Sequence, residues 1–111
     1  MSNIETKWLW TSARMEYGEF KKRNQRQVLQ LGGDAAAIVT ELGKVQREAV
    51  RNNTYVQIED LTKISRMVTD LHRDLVMALD EVEQIEYLAM QKGIYDEKTQ
   101  ICVTFREKKD K

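Results

Sequence analysis

Between Thr54 and Lys92 the chain repeats its apolar positions at alternating spacings of three and four: Leu61, Ile64, Val68, Leu71, Leu75, Ala78, Val82, Ile85 and Ala89. No glycine or proline interrupts the run. On an α-helix that spacing lines one face, so it predicts a helix over about 54–92. At ~1.5 Å per residue such a helix exceeds ~50 Å, whereas a domain of this size has a radius of gyration near ~13 Å. Its stripe must therefore be sheathed by the rest of the chain or by another chain. Leu75-Val76-Met77-Ala78-Leu79 is apolar all round, which places the middle of the helix under cover on more than one side.

The same periodicity, in weaker form, predicts two further helices. Trp10, Ala13, Tyr17, Phe20, Asn24, Gln27 and Leu31 step by three and four across residues 4–31. Gly32-Gly33 reads as the stop, because glycine accepts the left-handed conformation that closes a helix. Asp34 then reads as an N-cap for a second helix over 35–51, striped by Ile38, Leu42, Val45 and Ala49. At Asn52-Asn53 the stripe changes phase, which predicts a turn, and Thr54 with Gln57 forms a capping-box pattern that restarts the chain as helix. Gly93 closes the long helix. Residues 99–105 fit a short strand, through Ile101, Val103 and Phe105, or a short helix. The expected fold is all-α: a three-helix bundle over residues 1–105, built on the long helix and completed by oligomerisation, with a disordered tail at 106–111.

Composition narrows the function classes. There is no proline among 111 residues, which suits long helices. Lys and Arg balance Asp and Glu at 18 each, which argues against bulk attraction to nucleic acid or anionic membrane. No apolar run approaches the ~20 residues of a membrane span. The single cysteine, Cys102, allows no internal disulfide and points to the cytoplasm. The charge is uneven: residues 1–33 carry six basic and three acidic side chains, net +3, and residues 34–92 carry seven and eleven, net −4.

Candidate chemistry is sparse. His72 is the only histidine and Cys102 lacks a neighbouring cationic cluster, so neither builds a triad or a zinc site. Lys21-Lys22-Arg23 with Arg26 is the densest basic cluster and the candidate for phosphate contact. Trp8-Leu9-Trp10 reads as hot-spot material, one ring inside and one at a partner surface. Glu41-Leu42-Gly43 followed, after a helix break, by Glu59-Asp60-Leu61 resembles the MazG-like all-α nucleoside triphosphate pyrophosphohydrolases, which carry E-x-x-E and E-x-x-D on successive helices. The resemblance spans about residues 35–75 and implies Mg²⁺-dependent phosphate chemistry. This sequence departs from it at Lys44 and Lys63, which stand where the second carboxylates belong.

No catalytic, cofactor-binding or metal-binding residue is therefore assigned. The expectation is a small cytoplasmic protein–protein interaction module, an adaptor, inhibitor or assembly factor with the texture of short phage and mobile-element proteins. Its partners are itself and another protein, and its interface is Leu61, Ile64, Val68, Leu71, Leu75, Ala78, Val82 and Ile85 with Trp8 and Trp10. The rival readings are a diverged pyrophosphohydrolase and a nucleic-acid-binding regulator.

Overall fold

The structure, a computed structural model, describes residues 6–110, and side chains over residues 9–107. It overturns the three-helix expectation. The order is β1 (Thr6–Glu16), α1 (Tyr17–Arg51), α2 (Ile58–Lys92) and β2 (Gln100–Asp110). Two helices of 35 residues each are flanked by strands that pair with one another as a two-stranded antiparallel sheet. The register runs unbroken from Thr6 opposite Asp110 to Glu16 opposite Gln100.

Each departure has a physical cause. The expected first helix begins as β1 because Leu9, Thr11, Ala13 and Met15 alternate along it, and its pairing partner lies at the far end of the chain. Tyr17 and Phe20 are helical, while Trp10 and Ala13 are in the strand, so their common spacing crosses an element boundary. Gly32 and Gly33 do not stop the helix. Both lie inside α1 without positive φ, at roughly 1 kcal/mol each against alanine. Asp34 is accordingly no cap; it accepts a hydrogen bond from Gln30 Nε2 at 3.0 Å. The two expected short helices are thus one.

The turn at Asn52-Asn53 is present. Asn53 takes φ 51°, and Thr54 N–H closes the helix end onto the Ala49 carbonyl at 2.9 Å. The long helix starts at Ile58, four residues later than expected, with the Gln57 carbonyl accepting from Leu61 N–H at 3.2 Å. It ends at Gly93, φ 67°, where Ile94 N–H turns back to the Leu88 carbonyl at 3.0 Å. Of residues 99–105, all but Thr99 are strand, and β2 carries on through the expected tail to Asp110.

The chain divides into two compact units, residues 1–25 with 77–111, and residues 26–76. In the first, Tyr17, Phe20, Ile101, Val103 and Phe105 form a closed core, with Ile85, Leu88, Ala13 and Met15 packed against it. Polar groups pin it. Asn24 Nδ2 donates to the Ala78 carbonyl at 3.0 Å. The buried Glu81 lies 3.8 Å from Arg23, whose guanidinium covers the Phe105 ring at 4.1 Å. The start of α1 is held by the loop before β2: Tyr17 N–H donates to the Thr99 carbonyl and Gly18 N–H to that of Glu97. A Cβ on Gly18 would sit 2.7 Å from the Glu97 Cβ, so only glycine permits that approach. The second unit is an antiparallel helical hairpin whose core is Ile38, Val45 and Ile64, flanked by Met67 and Leu71.

Candidate functional site

The second unit has two unlike sides. Ile38 and Val45 point inward from α1, and Ile64 from α2. Turning 100° per residue from these, Val28, Ala35, Leu42 and Ala49 fall on one flank of α1, and Gln27, Asp34, Glu41 and Glu48 on the other. On α2 the flanks are Leu61, Val68 and Leu75 against Asp60, Met67 and Asp74. Because the helices run antiparallel, the two apolar flanks come to the same side of the hairpin. The ion pair between Lys63 Nζ and Glu41 Oε1, at 3.5 Å, bridges the helices on the opposite side and fixes that assignment.

Every Asp, Glu, Lys and Arg of residues 26–76 lies on the polar side or along the backs of the helices. The other side carries none, out to Val39, Val50, Ile58 and Val76 at its margins. Val28, Leu42, Leu61, Val68 and Leu75 stand 44% to 53% exposed. Each leaves about half of its surface open. A monomer rarely leaves so continuous an apolar strip uncovered.

The expected interface residues distribute accordingly. Leu61, Val68 and Leu75 line the open flank, whereas Ile64 is buried and Leu71 half-buried inside the hairpin. Ala78 is buried and Val82 and Ile85 are half-buried in the first unit. The long stripe is therefore two half-stripes with period seven, one turned inward and the other outward in the hairpin. Trp10 is 56% exposed with Arg106 over its ring at 4.8 Å. The Trp8 side chain lies outside the described residues. Sequence reasoning missed the contribution of α1: Val28 and Leu42 belong to the open flank, and their spacing by sevens with Ala35 and Ala49 was the signal.

The candidate chemistry is dispersed. Glu41 is engaged by Lys63, and Asp70 by Arg73 at 2.8 Å. Among the described residues no group of three or more His, Cys, Asp or Glu side chains could hold a metal ion. The basic cluster is broken up: Lys21 pairs with Glu97 at 3.8 Å and Arg23 turns inward to Glu81. His72 is exposed on the uncharged flank. Cys102 is exposed rather than buried in a core, beside a hollow of about 370 Å³ lined also by Asp80, Glu83, Gln84 and Tyr87. Among the described residues no basic side chain lines that hollow. No described helix is long and apolar enough to cross a membrane. Comparison with protein-family models, curated proteins and solved structures returns no match.

Proposed function

We propose that this chain is a non-catalytic protein–protein interaction module that associates with copies of itself through the uncharged side of the 26–76 hairpin. The observation that carries the reading is that this side of both helices carries no Asp, Glu, Lys or Arg. Random solvated faces do not sort charge this way over two helices, whereas the buried side of a helical bundle does. Fully burying a Leu or Val side chain is worth roughly 1.5–3 kcal/mol. Five half-open residues therefore hold roughly 4–8 kcal/mol per chain in reserve, comparable with the cost of bringing two chains together. Packing two such hairpins face to face would give a four-helix arrangement with an apolar seam. Ala35 and Ala49 allow the helix axes to approach closely.

Energy transfer between labelled copies tests this. Ser65→Cys in a Cys102→Ser chain puts a donor on one batch and an acceptor on another. Mixing the batches is expected to produce transfer that Val68→Asp abolishes. Absence of transfer between folded, labelled chains at high micromolar concentration contradicts the reading.

A further inference from the structure

The two-stranded sheet has two outer edges, and the chain treats them differently. On β2, the carboxamide of Gln84 behaves as a peptide group: Thr104 N–H donates to Gln84 Oε1 at 3.1 Å, and Gln84 Nε2 donates to the Thr104 carbonyl. Those contacts show that Thr104 turns its backbone polar groups away from β1. In an antiparallel ladder directly opposed residues share that orientation. Ser12, opposite Thr104, therefore turns its N–H and C=O away from β2, as do Trp10 and Arg14 at the same parity. The sheet has no third strand, and among the described residues no hydrogen bond reaches these outward groups of Trp10, Ser12 and Arg14.

Two common edge protections are missing, although β1 does carry charge at Lys7, Arg14 and Glu16. The register contains no bulge and β1 contains no proline. Trp10, Ser12 and Arg14 are all exposed. Leu9, on the sheet face that carries the core, is 45% exposed although Met15 on the same face is half-buried against that core.

We propose that the open edge of β1 pairs antiparallel with β1 of a second copy about a two-fold axis at Ser12, giving a four-stranded sheet in the order β2-β1-β1-β2. This goes beyond the hairpin interface and stands on separate residues. Only registers that oppose even-numbered residues to one another satisfy the outward groups. The register centred on Ser12 sets Trp10 opposite Arg14 of the second copy. That repeats, on the free side of the indole, the arginine stacking that Arg106 already supplies within the chain. It also sets Leu9 opposite Met15 of the second copy, which extends the apolar face of each sheet where it is now bare.

The test is run in a full-length Val68→Asp chain, so that the hairpin interface cannot produce the signal. A nitroxide on Ser12→Cys, with Cys102→Ser, is expected to show strong dipolar broadening, because paired strands lie about 4.8 Å apart. Excess unlabelled chain removes it. Ser12→Pro removes an N–H that points away from β2 and so leaves the ribbon ladder intact. In the same Val68→Asp background it is expected to convert dimer to monomer without loss of helicity. A label at Ser12 that stays narrow at high micromolar concentration overturns the proposal. So does a dimer that survives Ser12→Pro. A Val68→Asp chain that is monomeric throughout leaves the edge to some other occupant and equally overturns pairing with a second copy.

Discussion

The two units solve the same packing problem differently. In the first, the sheet lies over the helix segments, and the core closes within the chain: Phe20 is fully enclosed and Val103 nearly so. Polar pins at Asn24, Glu81 and Gln84 set the register there. In the second, two helices have only each other. A pair of helices can bury one seam, so a stripe wider than that seam stays half in water. Adding two strands to one helix pair finishes a core; leaving the other pair bare makes a surface. The charge pattern follows the same division, since the open side of the hairpin excludes ionic groups as if it were interior.

The largest effect that would sharpen this contrast is expected at Phe20. Phe20→Ala should destabilise the chain by about 3–5 kcal/mol, measured by denaturant unfolding, whereas Leu42→Ala on the open flank should cost well under half as much in a dilute monomer. Equal losses would erase the distinction between the closed and open regions.

Gly18→Ala comes next. Its Cβ must displace Glu97, whose Cβ and carbonyl stand 2.7 Å and 3.2 Å from the added atom, so a loss of about 1–3 kcal/mol is expected. Gln84→Ala should cost about 1–2 kcal/mol, because Thr104 loses both edge contacts. Exchange of the Thr104 amide proton should rise with it, and an unchanged rate would remove Gln84 from the account.

The smallest effect has the opposite sign. Nothing lies within 4 Å of a Cβ added at Gly32 or Gly33, and neither has positive φ. Each alanine replacement should therefore stabilise by about 0.5–1 kcal/mol, seen as a raised midpoint. A loss at either position would mean that the helix does not run through the pair.

How much of this was legible depended on the range of each interaction. The hairpin turn was readable from the phase change at Asn52-Asn53, and the close at Gly93, because both are local. β2 was readable as one of two options from Ile101, Val103 and Phe105. β1 was not. Its hydrogen bonds go to residues some 90 positions away, as Thr11 to Glu107 illustrates, and no local pattern specifies such a partner. Gly32-Gly33 misled because propensity was given more weight than the continuity of Val28, Leu31, Ala35 and Ile38 across it. The half-stripe on α2 was visible, but which half stays open depended on where α1 lies, and that needed the fold. The acids Glu41 and Glu59-Asp60 carried the pyrophosphohydrolase resemblance, with Lys63 standing where a carboxylate was needed, and in the structure Lys63 pairs with Glu41.

The central claim is that the hairpin completes its core between chains, and its most direct test is the mass in solution. Sedimentation of the wild-type chain across a micromolar range should show a concentration-dependent species larger than the monomer. Leu61→Asp with Val68→Asp places charge on positions already about half open. The doubly substituted chain should therefore keep its helicity but show a clear loss of mass. A wild-type chain that remains monomeric at high micromolar concentration contradicts the account, as does an assembly whose mass is unchanged by the two aspartates.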